Sequence, residues 1–168
     1  MNIDKRLEQK IGFDRIRQII SDRCSTEYAA ERTATECFST DLSVIRKRLL
    51  LTDEMRLIMM FEDSFPSGGF IDCIGFLKPL EMSSSAIDLI SIRKLRTMLD
   101  TLRKVTSFFN GVKEEVYPNL KRMASPIMGF PEVQRRIDLI IDRYGEVKDT
   151  ASDELYEIRK SLRDKEGA

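Results

Sequence analysis

The chain has 168 residues, 42% hydrophobic and 33% charged, with 28 basic side chains against 28 acidic ones and no histidine. That length suits one domain or a tight pair of subdomains with a sizeable core. Zero net charge excludes the basic excess of a dedicated nucleic-acid domain, and the lack of His excludes His-dependent triads and most zinc sites.

Helical spacing of Phe13, Ile16 and Ile20 predicts a first helix from about Asp14 to Arg23, with Leu7 and Ile11 in a short extra turn or an extended lead-in. Ser25 and Thr26 are caps for a second helix running through Cys37, whose small face is Ala29, Ala30 and Ala34. Thr40 and Asp41 precede a long third helix, Leu42 to Phe61, with Leu42, Ile45, Leu49, Thr52 and Met59 as its inward stripe. Ser64 to Gly69 then breaks the chain, because Pro66 lacks an N–H and Gly68 and Gly69 permit positive φ. A short helix is expected around Cys73 to Lys78.

Ser83, Ser84 and Ser85 are candidate caps for the longest helix, Ala86 to Phe109, with Ile87, Ile90, Leu95, Met98, Leu102, Val105 and Phe109 inward and Asn110-Gly111 as its stop. Pro118 opens a shorter helix to Ala124, and Pro131 opens another to Arg143 carrying Val133, Ile137, Ile140 and Ile141. Gly145 suits the C′ position of that helix. Glu146 to Thr150 has room only for a turn or a two-residue extended piece. Ser152 caps a last helix with Leu155, Ile158 and Leu162 inward. The expected class is all-α: one helical domain over residues 1–168, with about seven or eight helices and at most a very short extended piece near Gly145 to Asp149.

Few residues carry recognisable chemistry. No Gly precedes a Lys, so no phosphate-binding Walker loop exists here. Cys24, Cys37 and Cys73 fit no zinc spacing, and their odd number argues against a disulfide framework; reduced, mostly buried thiols are expected. No apolar run approaches the ~20 residues of a membrane span, and Met1 to Lys10 is too charged for a signal peptide. A cytoplasmic protein without a membrane partner is the resulting expectation.

Phe130-Pro131-Glu132 fits the Phe-x-Glu wedge of mismatch readers, but Pro and Glu also suit a helix start, which is the reading adopted. Arg93, Lys94, Arg96, Arg103 and Lys104 lie on the longest helix among Asp88 and Asp100. Arg96, Arg103 and Lys104 are the candidate phosphate contacts. The competing reading is the solvated side of an amphipathic helix. No catalytic, cofactor or metal residue is assigned.

The run Leu7 to Arg17, containing Ile11-Gly12-Phe13-Asp14, resembles the start of the second bacterial branch of the MutS family. Cys24-Ser25, Phe38-Ser39-Thr40-Asp41, Thr52-Asp53-Glu54, Pro66 and Asp72 continue the likeness. Ile137-Asp138 followed by Gly145-Glu146-Val147-Lys148-Asp149-Thr150-Ala151-Ser152, Leu155 and Ile158-Arg159 is its most specific block. The likeness covers roughly Leu7 to Lys165 and is looser from Ser83 to Pro131.

This resemblance implies an N-terminal helical core region of a longer protein, followed by lever and clamp, an ATPase using ATP and Mg, and an Smr nuclease domain. It implies recombination suppression or action on stalled ribosomes by the parent, a homodimer. The fragment itself would be a structural transmitter between clamp and ATPase. Its partners would be the parent's remaining domains and, through the parent, DNA or a stalled ribosome. A truncated, monomeric fragment without catalysis of its own is expected. A stand-alone helical protein-interaction adaptor and a weak nucleic-acid-binding module are the alternatives.

Overall fold

The computed structural model describes residues 5–82 and 85–167. Among them are nine α-helices and no strand: α1 (Lys5–Lys10), α2 (Phe13–Ser21), α3 (Glu27–Ala34), α4 (Leu42–Phe61), α5 (Ile74–Leu77), α6 (Leu89–Gly111), α7 (Pro118–Ala124), α8 (Pro131–Ile140) and α9 (Asp153–Glu166). Short 3₁₀ turns cover Lys78–Glu81 and Asp149–Ala151. The class is all-α, as the periodicity indicates.

Local chemistry explains most boundaries. Gly12, at φ 74°, separates α1 from α2, so the Leu7 lead-in is a helical turn of its own. Thr26 caps α3 by accepting from the Ala29 N–H at 3.2 Å, and Asp41 caps α4 through Ser43 and Val44. Hydrogen bonds to Ser43 and Val44 hold the Asp41 carboxyl below the usual range. Pro118 and Pro131 open α7 and α8 where an N–H has no helical acceptor.

Three boundaries lie three residues away from the sequence reading. α3 ends at Ala34 rather than Cys37, because the Thr35 hydroxyl donates back to the Glu31 and Arg32 carbonyls. α6 begins at Leu89, capped by Asp88, whose carboxylate accepts from the Ser91 N–H and hydroxyl at 2.9 and 2.8 Å. Of the three serines expected as caps, Ser83 and Ser84 lie outside the described residues, and Ser85 sits before the helix with its N–H on Met82 O. α8 ends at Ile140 because Ile141 turns extended and pairs with Val147.

The chain divides into two compact units, Met1–Asp72 with Asp100–Met128, and Cys73–Leu99 with Gly129–Ala168. α6 contributes residues to both. In the first unit, Ile58 is fully buried among Val105, Phe108, Phe109, Tyr117, Leu120 and Ala124. Phe65, Phe108 and Phe109 meet edge to face, with centroids 5.2 Å apart for Phe65–Phe108 and for Phe108–Phe109. The Thr101 hydroxyl donates to Gly69 O at 3.1 Å, which ties the Pro66 to Gly69 loop to α6. In the second unit the core is smaller: Leu99, Ile137 and Ile141, with Leu89, Ile92 and Leu95 against them.

The expected inward stripe of α4 is overturned. Leu42, Leu49 and Met59 are 67, 65 and 61% exposed, while Glu54 and Ile58 are buried and Leu51 and Leu57 pack on the core. Apolar residues surround this helix on every side, so two stripes fit the spacing. The buried one was hidden by a carboxylate in its middle. Glu54 accepts from the Asn119 N–H (3.1 Å), the Asn119 side-chain amide (2.6 Å) and the Leu120 N–H (2.7 Å). It thus caps α7, whose own N-cap Tyr117 supplies no side-chain acceptor.

Other faces turn outward as well. Ile16 and Ile20 of α2, Ile90 of α6, and Ile158 and Leu162 of α9 are each at least half exposed. The residues of α9 that face its unit are Leu155 and Arg159. Of the three cysteines, Cys73 is buried, Cys24 half-buried and Cys37 exposed, which corrects the expectation of mostly buried cysteines. The Cys37 backbone follows the end of α3 into an open stretch, so nothing covers its sulfur.

Candidate functional site

Hydrogen bonds and ion pairs gather along the segment from Asp138 to Arg163. It begins where α8 stops. The Asp142 N–H donates to Glu146 O at 2.8 Å and the Lys148 N–H to Ile140 O at 2.9 Å, so Ile140 to Lys148 closes as a miniature hairpin around the Ile141–Val147 bridge. The Asp142 carboxylate accepts from the Tyr144 and Glu146 N–H groups at 2.8 and 2.9 Å. Such a side-chain turn is the ordinary use of Asp before a tight reversal. These backbone donors, that of Glu146 foremost, hold the Asp142 carboxyl below its usual range.

Gly145 is the turn's tightest point. Its φ is 86°, a region L residues rarely adopt, and a Cβ there would lie 2.8 Å from Arg93 Nε. The expected C′ role of Gly145 is therefore corrected: α8 has already ended, and the glycine turns the hairpin beneath an arginine. Arg93 Nε donates to Gly145 O at 2.5 Å and Nη2 to Glu146 Oε1 at 2.8 Å.

One helical turn further along α6, Arg96 donates to Asp142 O at 2.9 Å and pairs with Asp138 at 2.7 Å. Lys148 Nζ donates to Asp138 O at 2.5 Å. From the other side, Arg159 of α9 donates to Val147 O at 3.0 Å and to Asp149 at 2.5 Å, and Arg163 reaches Asp149 at 3.1 Å. Arg159, and then Arg163, hold the Asp149 carboxyl low. The hairpin is thus clasped by α6 on one side and by α9 on the other, through guanidinium groups.

This settles where the three phosphate-contact candidates stand. Arg96 faces the hairpin, one-third exposed. Arg103 and Lys104 both bind Asp100, at 2.8 Å each. Lys104, then Arg103, hold the Asp100 carboxyl down, as expected of a carboxylate shared by two cations. Arg103 and Lys104 also line an open groove of about 460 Å³ with Glu62, Ser64, Ser107 and Phe108, where Glu62 is a further negative charge. Each cation of the candidate stripe therefore has a carboxylate partner.

Phe130 and Glu132 stand at the start of α8, with Glu132 paired to Arg135 and Arg136 of its own helix. Among the described residues no cluster of three or more His, Cys, Asp or Glu side chains is arranged to hold a metal ion, and no helix is long and apolar enough to cross a membrane.

The most specific block of the likeness, from Ile137-Asp138 through Gly145 to Ser152 and on to Ile158-Arg159, contains the hairpin and its partners Asp138 and Arg159, but not those on α6. Arg93 stands in the sequence only as one of several basic residues on the longest helix, and Glu54 only as part of the likeness at Thr52-Asp53-Glu54. Asp142 carried a usable signal, an Asp three residues before a Gly. The Arg93 and Glu54 contacts span 52 to 66 residues and have no local signature.

Comparison with known proteins bears on this same block. The chain is 28% identical over 164 residues to the endonuclease MutS2 of a Listeria monocytogenes strain, covering 96% of the chain and 21% of that protein. It is 29% identical over 159 residues to that of Thermomicrobium roseum, covering 92% of the chain and 20% of the relative. The resemblance is to the MutS2 branch. A Geobacillus MutS2 agrees at 26% over 162 residues, covering 91% of the chain. The chain spans about a fifth of the length of the curated relatives it matches. No protein-family model matches it. The MutS2 likeness extends over nearly all of this chain, so it takes in both units and the clasped hairpin.

Proposed function

We propose that this chain is a structural core piece of a MutS2-like protein, one that transmits motion between a nucleic-acid clamp and an ATPase and does no chemistry itself. The observation that carries the reading is the asymmetry of the likeness: nearly all of this chain answers to a fifth of a protein called an endonuclease. On this reading ATP and Mg belong to the parent's other segments, as do DNA or stalled-ribosome binding, nuclease activity and homodimer formation, in a cytoplasmic setting.

Two features support a transmitter. The first is stiffness where force would pass. Guanidinium contacts of fixed geometry join the hairpin to α6 and α9, beside the buried Ile141 that packs with Leu99 of α6. The second is uncovered apolar surface. Monomeric globular proteins with the sizes of the two units would expose roughly 10,000 Å² together, whereas this chain exposes 13341 Å². The apolar faces of α4 and α9 are suited to cover by the rest of such a parent.

A direct nucleic-acid-binding role is less favoured, because Arg96, Arg103 and Lys104 would have to give up carboxylate partners to take phosphates. The test is to read the source gene past codon 168. A frame that continues into a Gly-rich loop ending in Lys-Ser or Lys-Thr agrees with the proposal. A stop codon at that point overturns it and favours a helical adaptor that uses the same exposed faces.

A further inference from the structure

Two grooves meet at Arg32 in the first unit, and one of them takes in the exposed apolar face of α2. One, of about 290 Å³, lies between α2 and α3 and has apolar walls, Phe13, Ile16 and Ile20, with Arg17, Arg32 and Glu36 at its edge. The other, of about 310 Å³, continues past Arg32 and Glu36 and is polar, with Cys37, Ser39 and Arg48 along it. Ile16 and Ile20 are 53 and 50% exposed, an uncovered apolar floor.

The charges around this floor do not balance. Glu8 pairs with Arg17, and Glu36 pairs with Arg48. Arg32 has no ion pair among the described residues. Arg17 adds a second deficit: its guanidinium lies 4.6 Å over the Phe13 ring, and its buried Nε–H has no acceptor. The pair of grooves therefore offers an apolar strip next to a positive edge.

We propose that these grooves dock an acidic amphipathic helix of a partner protein. Its apolar face lies on Ile16 and Ile20, and its carboxylates meet Arg32 and the Arg17 edge. Helix-in-groove recognition needs this juxtaposition of an apolar strip with a rim of opposite charge.

Cys37 is exposed in the polar groove, whereas Cys24 is half-buried and Cys73 buried, so alkylation of Cys37 reports occupancy with two internal references. The probe is a synthetic helix of about four turns with Leu on one face and Glu on the other, beside the same peptide with Lys replacing Glu. The expected result is that the Glu peptide binds at least about tenfold more tightly than the Lys peptide and slows Cys37 alkylation.

Arg32→Glu should weaken that binding about tenfold and Arg32→Gln less, both with unchanged helical circular dichroism. Ile16→Asp is the second variant and should abolish it. Equal binding of the two peptides would reduce the site to apolar stickiness and overturn the proposal. So would an unprotected Cys37, unchanged affinity in Arg32→Glu, or displacement of the Glu peptide by duplex DNA, which would make the rim a polyanion site.

Discussion

The two units are held together by different physics. Around Ile58 the first unit buries two phenylalanines and a tyrosine, with Phe65 and Phe70 packed against them, and it removes large apolar area from water. The second has a smaller cluster of Leu99, Ile137 and the hairpin's own Ile141, and its hairpin is gripped by Arg93, Arg96 and Arg159. Apolar burial is non-directional and tolerates reshuffling at similar volume. Guanidinium clasps fix orientation but add little net stability where water reaches them. A protein that must keep one piece cohesive and another in a set geometry has use for both.

The largest expected effect falls in the apolar unit. Phe108→Ala removes the ring that touches Phe65, Phe109 and Tyr117, and should cost about 3–5 kcal/mol in urea unfolding. A loss below about 1 kcal/mol would mean that the aromatic cluster does not organise this unit.

Next comes Glu54→Ala, which strips the α7 cap and leaves the Asn119 and Leu120 N–H groups without their acceptor. A loss of about 1–3 kcal/mol is expected, with early hydrogen exchange at those two amides. Glu54→Gln should recover part of it, since a side-chain carbonyl still accepts.

In the hairpin, Gly145→Ala should cost about 1–2 kcal/mol from the positive φ alone. The Cβ clash is with a flexible arginine that can move aside. Pairing the change with Arg93→Ala should therefore leave most of the loss in place. Full rescue in the double-mutant cycle would show that the close approach, not the backbone, is what demands glycine.

The smallest effect is electrostatic. The Asp142 and Asp149 carboxyls are depressed in the folded chain, so what they contribute is complete above the ordinary carboxylate range. It is lost as pH falls through their lowered values. Amide protection at Gly145 and Glu146 should then fade in acid, and with added salt, before protection at Phe108 does. Simultaneous loss at both places would erase the contrast between the units.

Legibility in the sequence followed the range of the interaction. α4 and α7 were read with the bounds the structure shows, because Asp41, Pro118 and the break after Phe61 act within a turn of the residues they govern. The caps Thr26 and Ser152 were found for the same reason. What escaped was whatever depends on a distant partner. The buried side of α4 is chosen by α7 through Glu54, and the inward side of α9 by Asp149 and Val147 through Arg159.

Spacing of apolar residues could not separate the faces of helices that are apolar nearly all round. The candidate cations Arg96, Arg103 and Lys104 were visible as charges. Their partners Asp138 and Asp100 differ in kind: Asp100 sits within one helical turn of Arg103 and Lys104 and was readable, whereas Asp138 was not.

The transmitter proposal is tested most directly by ATP hydrolysis in the complete gene product carrying Gly145→Val, with and without branched DNA or ribosomes. The account predicts basal hydrolysis close to that of the unaltered protein and loss of its stimulation by the bound substrate. Stimulation that survives a distorted hairpin would contradict it.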